Sequence, residues 1–266
     1  MSNLYQRGVF GFIYVVLFIS AILFSEYSYV AYGTLLGFMC MLEFTRIIHL
    51  KYTIVYLMYA ILVYLIFVEQ LDVLILPILI VSLISSLVLI YQLYYYKEFK
   101  LTRTITKIIV TTRYVILSSI FIILLPFLND EYRPHLIIGI LVMMWVNDSF
   151  AFLIGKNFGK RKLFPSVSPK KTIEGFIGGF VFSIVAAGVI YYFNRDLSLM
   201  NWLILAVITS ILGTIGDLIQ SKFKRHANVK DSGTLIPGHG GFFDRLDSLL
   251  FAAPFVYLYL HYIAII

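Results

Sequence analysis

The sequence predicts an all-α polytopic membrane protein of about nine transmembrane helices, with the N-terminus inside and the C-terminus outside. Three observations predict it. The chain of 266 residues is 61% hydrophobic and only 13% charged, whereas about a quarter of the residues in a soluble domain are charged. Its apolar residues come in runs near the ~20 residues that cross a ~30 Å hydrocarbon core as a helix. The polar linkers between those runs alternate in charge, the pattern that sets orientation.

The apolar segments run over residues 8–24, 27–45, 52–68, 73–93, 106–128, 135–154, 175–193, 199–219 and 245–264. Arg7 followed by the apolar stretch Val9 to Phe24 has the outline of a signal peptide. Ser25-Glu26-Tyr27 is a poor cleavage site and further spans follow, so the segment reads as an uncleaved first helix. The second segment holds Cys40, the single cysteine. One cysteine excludes an intrachain disulfide and supports neither a zinc nor an iron–sulfur site. Glu43, near the end of the same segment, reads as a residue that snorkels or pairs with Arg46. A transporter would instead use it, with Asp148, as a coupling group. Residues 1–104 form an N-terminal membrane region with no chemistry assigned, and 105–266 form the region that carries the polar residues.

With the N-terminus inside, only Arg133 and Arg195 of the 21 Lys and Arg residues fall outside. The inner side collects Lys97, Lys100, Arg103 and Lys107, the stretch Lys156 to Lys171, and the stretch Lys222 to Lys230. Outer linkers hold Glu26, Glu69, Asp72, Asp130, Glu131 and Asp196. The net charge of +7 therefore points to anionic lipid headgroups at one membrane face. It does not point to nucleic acid.

Ionisable residues within or at the edge of spans are expensive and mark functional sites. Asp148 lies several residues inside the sixth segment. After it comes a basic linker ending Ser168-Pro-Lys-Lys-Thr-Ile-Glu-Gly175. Pro169 excludes a helix interior there, so a helix begins near Thr172, with Thr172 as its N-cap and Glu174 in its first turn. Lys170 and Lys171 stand at that helix start, where a bound phosphate would offset their unfavourable interaction with the helix dipole. Gly175 and Gly179, four apart, suit close helix packing in lipid.

The densest polar stretch runs from Asp217 to Asp247. Asp217 ends the eighth segment and shares a helix face with Ser221. Asp244 and Asp247 open the ninth on one side of the helix. Paired carboxylates without Cys or clustered His favour a hard oxygen-seeking cation, Mg²⁺ above all. Between the acids lie Lys222, Lys224, Arg225, Lys230 and Asp231, then Gly238-His239-Gly240-Gly241, a turn whose amides suit phosphate oxygens. His239 reads as a hydrogen-bond donor to phosphate. Arg245 suits bidentate phosphate binding. Together these features suggest phosphoryl or nucleotidyl transfer to a lipid at the membrane surface.

Ser221 through Asp247 also fits a family signature at every fixed position. That signature reads S-x-hydrophobic-K-R-x4-K-D-x-small-x2-hydrophobic-P-x-H-G-G-hydrophobic-x-D-R-hydrophobic-D. The sequence here resembles the phosphatidate cytidylyltransferases, also called CDP-diacylglycerol synthases, and the block from Asp148 to Gly175 looks like a second motif of that family. The resemblance implies conversion of CTP and phosphatidic acid to CDP-diacylglycerol and pyrophosphate. It also implies Mg²⁺ with a second cation in a paired centre at Asp217 and Asp244, a homodimer, and a bacterial cytoplasmic membrane with the site facing the cytoplasm. Under that reading Asp148, Asp247 and Glu174 support the site from behind. Lys170, Lys171 and Arg245 take the phosphatidate phosphate. Lys222, Lys224, Arg225 and Lys230 neutralise the leaving pyrophosphate. A CTP-dependent polyprenol or dolichol kinase is the alternative enzyme, and a transporter the alternative of another class.

Overall fold

The structure, a computed structural model, describes residues 3–96, 99, 101–129, 131–233 and 240–264, with side chains from residue 10 onward. Lys97, Lys100, Asp130, Gly238 and His239 lie outside the described residues, as does the side chain of Arg7.

The described residues are all-α apart from two small hairpins. Among the described residues, seven helical segments are long and apolar enough to cross a membrane. They are Glu26–Ile47 (α2), Asp72–Tyr95 (containing α4, Ile75–Tyr95), Thr104–Leu124, Pro134–Phe158 (α7), Ile173–Phe193 (α8), Leu199–His226 (α9) and Phe243–Ile263. Thr104–Leu124 is α5 (Thr104–Val110) and α6 (Leu117–Leu124) joined by a π-helical turn. Phe243–Ile263 begins with α10 (Phe243–Leu258). Two shorter apolar helices, Phe10–Phe24 within α1 (Asn3–Phe24) and Ile54–Phe67 (α3), occupy the first and third predicted segments.

Local sequence explains the helix starts. Ser25 and Ser28 form a reciprocal capping box ahead of α2, and Pro134 opens α7 where its missing N–H costs nothing. Thr172 caps α8 by accepting from Gly175 N at 3.1 Å, as expected. The basic linker before it is not irregular. It folds into an antiparallel hairpin, β3 (Lys162–Phe164) and β4 (Ser168–Thr172), which puts Lys170 and Lys171 on a strand. The other hairpin pairs β1 (Phe127–Leu128) with β2 (Glu131–Tyr132).

The largest departure from expectation is α9, which continues to His226 instead of ending near Asp217. Lys222, Lys224 and Arg225 therefore lie on helix, not in a loop. The physical reason is twofold. Lys and Arg are good helix formers, and cations at a helix C-terminus interact favourably with its dipole.

Helices α7 to α10 pack closely because glycines line their contacts. A Cβ on Gly175 of α8 would stand 2.6 Å from Ala151 O of α7, and one on Gly179 would stand 2.5 Å from Asn147 O. On α9, Gly216 leaves room for Phe251 of α10, 2.5 Å from where its Cβ would be. An aromatic cluster locks α2, the π turn, α9 and α10 together. Phe223 is 5.0 Å from Phe44, 4.1 Å from Phe99 and 5.6 Å from Tyr114 between ring centroids, and Phe44 is 5.4 Å from Phe243. The outward faces of α4 and α8 are apolar and exposed, including Leu76, Ile80, Ile84, Ile177, Val181 and Val185. Such faces suit lipid.

Candidate active site

Four of the sequence-predicted acids converge on one place. A cavity of about 500 Å³ opens between α7, α8, α9, the start of α10 and strand β4. Asp148, Asp217, Asp244 and Asp247 line it, together with Lys156, Lys170, Lys171 and Arg245. A second cavity of about 360 Å³ lies on the α1 side and shares Asp148, Asp244, Arg245 and Asp247 with the first. Its other wall is largely apolar, with Phe18, Leu141, Met144 and Trp145. The shared acids and arginine are thus reached from a polar side and from an apolar side.

Asp217 is brought to the cavity by α9 and Lys171 by the hairpin. The Lys171 ammonium forms an ion pair with Asp217 Oδ2. Ser221, one turn on, donates to Asp217 Oδ1 at 3.2 Å, as the shared helix face predicts. Asp247 lies within electrostatic reach of both Asp217 and Asp148. Grouped carboxylates repel one another and draw cations.

Asp244 is more fully engaged. Lys224 Nζ stands 2.6 Å from Oδ1, and Gln220 Nε2 donates to the same oxygen at 3.1 Å. Oδ2 accepts from Ser232 N at 2.7 Å, Ser232 Oγ at 2.9 Å and Gly241 N at 3.1 Å. Gly240 takes φ of 84°, in the left-handed region that favours glycine. A Cβ there would stand 2.7 Å from Asp244 Oδ2. Gly240 is therefore required by geometry.

Other expected site residues are placed differently. Lys222 is buried and points away from the cavity. Its ammonium donates to the carbonyls of Gln92 at 2.6 Å, of Leu93 at 3.2 Å, and of Tyr96. It satisfies the open end of α4, which corrects the expectation that it meets a substrate phosphate. A charged donor among the carbonyls at a helix C-terminus is electrostatically matched, and that pull decides its direction. Arg225 donates to Val229 O at 3.3 Å, and it, Lys230 and Asp231 are exposed outside the cavity lining. Glu174 accepts from the amides of Lys160 at 3.0 Å and Arg161 at 3.1 Å. That bonding fastens the hairpin and does not reach the cavity lining.

Three residues were not expected at the site. Glu43 reaches the turn before α10 from α2, and Gln220 and Ser232 hold Asp244. The signal for Glu43 was present, since a carboxylate inside an apolar helix needs a partner. Nothing in its own segment names that partner.

The donor chemistry suits a hard cation. Asp217 and Asp244 offer only oxygens, and Lys171 already places a positive charge against Asp217. Among the described residues no group of three or more His, Cys, Asp or Glu is close enough to hold a metal unaided. Mg²⁺ ordinarily completes its shell with water and substrate phosphate around one or two carboxylates, so two acids fit it.

Comparison with known proteins matches residues 5–263 to the model of the cytidylyltransferase family. A protein of Bacillus subtilis (strain 168) named phosphatidate cytidylyltransferase is 44% identical over 132 residues, which is 49% of this chain and 49% of that protein. Proteins of the same name from Staphylococcus haemolyticus (strain JCSC1435) and Staphylococcus aureus (strain COL) are 48% identical over 122 residues, 45% of this chain and 46% of theirs. The chain thus spans about half the length of the curated relatives it matches.

Proposed function

The chain belongs to the cytidylyltransferase family, and from that premise we propose that it makes CDP-diacylglycerol and pyrophosphate from CTP and phosphatidic acid. The observation that carries the reading is the convergence of Asp148, Asp217, Asp244 and Asp247 with Lys170, Lys171 and Arg245 on one cavity. Such a site holds a polyphosphate and a phosphomonoester side by side.

In the proposed reaction a phosphatidate oxygen attacks the α-phosphorus of CTP in line. A new P–O bond forms there, the bond to the β-phosphate oxygen breaks, and pyrophosphate leaves with the electron pair. The attacking phosphate is already ionised at neutral pH, so no strong general base is needed. Lys170, Lys171 and Arg245 orient it and offset its charge. Lys224 holds Asp244 in place at 2.6 Å. Arg225, in the last turn of α9, and Lys230, beyond it, are exposed and add positive potential that steers CTP toward the protein. Asp217 and Asp244 would hold Mg²⁺, which when bound draws charge from the phosphate oxygens. Asp148 and Asp247 keep the surrounding field negative toward cations.

The same reading places the protein in a bacterial cytoplasmic membrane with nine spans, N-terminus in, C-terminus out, the cavity on the cytoplasmic side, and a homodimeric assembly. The apolar wall of the smaller cavity supports lipid access from the bilayer. The charge pattern of the linkers supports the orientation.

The test is purified protein with phosphatidic acid, Mg²⁺ and CTP labelled at the α-phosphorus, followed by lipid extraction. Label in the lipid phase with release of pyrophosphate is expected. Transfer only of γ-label to a lipid alcohol would move the assignment to a lipid kinase.

A further inference from the structure

Glu43 is fully buried on α2 and belongs to neither cavity wall. Its carboxylate accepts three hydrogen bonds from a distant part of the chain. Oε2 accepts from Ser232 Oγ at 2.7 Å and Phe243 N at 3.0 Å, and Oε1 accepts from Phe242 N at 3.1 Å. A buried carboxylate is costly unless such bonds offset its desolvation, so its placement fixes the donors as firmly as they fix it.

Those donors are what presents Asp244. Helix α10 has no side-chain cap of its own at Phe242. Glu43 fills that role from α2, with a negative charge at the helix N-terminus where the dipole favours one. Ser232 lies between the two carboxylates, with Oγ 2.7 Å from Glu43 and 2.9 Å from Asp244, and its single proton serves one at a time. The chain wraps closely on both sides. A Cβ on Gly241 would collide with Glu43 Oε2, and one on Gly233 would stand 2.7 Å from Oε1. Next in sequence, Phe44 packs on Phe223 and Phe243 and so holds α2 against α9 and α10.

We propose that Glu43 is a positioning residue, which sets the Asp244 carboxylate through Ser232 and the Gly241–Phe243 turn. The inference rests on the cytidylyl-transfer reading for its substrate. Glu43→Gln keeps the shape, but its NH₂ faces donors and cannot accept. The expected result is a KM for CTP raised about fivefold or more with the KM for phosphatidic acid little changed. Hydrogen exchange should quicken at residues 231–233 and 240–244 while the helix interiors stay protected. A merely structural role lowers the active fraction and leaves both KM values in place.

Ser232→Ala removes only the shared hydroxyl and should shift the CTP KM the same way, and it decides the question if Glu43→Gln does not fold. An unchanged CTP KM with wild-type transfer intact overturns the positioning role and leaves cytidylyl transfer standing. Wild-type protein that moves no label from CTP into lipid overturns both.

Discussion

Lys222 Nζ donates to the backbone carbonyl of Gln92 at 2.6 Å, tying α9 to the C-terminus of α4. The same ammonium reaches Leu93 O and Tyr96 O and lies 5.0 Å from the Phe99 ring centroid. A lysine used this way holds helices together and has no free direction left for substrate.

Lys222→Met should therefore cost stability, not catalysis. Hydrogen bonds to a charged group contribute about 1.5–3 kcal/mol each, and the carbonyls at the end of α4 would lose their charged donor. The expected outcome is a clear fall in melting temperature in detergent. KM for CTP in the folded fraction should stay within about twofold. A large rise in that KM with unchanged melting would return Lys222 to the substrate site.

Lys171 and Asp217 should behave in the opposite way. Their ion pair spans the hairpin and α9 at the cavity wall, and each side chain is partly open to solvent. Partly exposed pairs contribute little to stability. Lys171→Met and Asp217→Asn should melt close to the wild type. Turnover should fall by about 10²-fold or more in each, because charge at the reacting phosphates is lost. Thermal melting run beside a CDP-lipid assay checks both halves.

How far these roles were legible depends on what each residue answers to. That Asp148, Asp217 and Asp247 line one cavity follows from sequence because a carboxylate in or at the edge of an apolar helix has few uses. Thr172 could be read because capping is decided within one turn. The direction of Lys222 could not, since it is set by α4, more than a hundred residues earlier in the chain. Glu43 carried a readable signal but no readable partner, for its donors lie at Ser232, Phe242 and Phe243. Polar composition alone predicts a shorter α9 than the structure has. Lys and Arg in its last turns in fact suit the helix end.

Close packing of α9 on α10 rests on Gly216, where any Cβ would meet Phe251 and the Asp247 carbonyl oxygen, 2.8 Å away. Gly216→Val should force the helices apart, at a cost of about 1–3 kcal/mol for overpacking. Because Asp217 and Asp247 ride on those two helices, activity should fall with stability. Melting temperature and specific activity measured on the same preparation test the coupling, and full activity in a destabilised variant would break it.

Removal of divalent cations should abolish turnover without unfolding the chain, since the role proposed for Asp217 and Asp244 is to hold a hard cation. EDTA followed by gel filtration and restoration with Mg²⁺ reads both. Full turnover in EDTA would remove the proposed metal role of Asp217 and Asp244.

Asp244 separates shape from charge most sharply. Its two oxygens accept from Lys224, Gln220, Ser232 and Gly241. Asp244→Ala leaves the largely enclosed Lys224 ammonium without its carboxylate, a defect that costs up to about 3–5 kcal/mol when the pair is fully buried. Lost activity in that variant would thus report unfolding as well as chemistry. Asp244→Asn keeps one acceptor oxygen and the volume, so it should fold with a modestly lower melting temperature. Its amide cannot balance Lys224 and is a poor ligand for a divalent cation. Turnover should fall by about 10³-fold, equivalent to roughly 4 kcal/mol of transition-state stabilisation. Specific activity of the folded Asp244→Asn fraction, isolated by gel filtration, is the decisive number. A loss of less than tenfold there would mean that Asp244 shapes the turn and that its charge is not needed at the reacting phosphates.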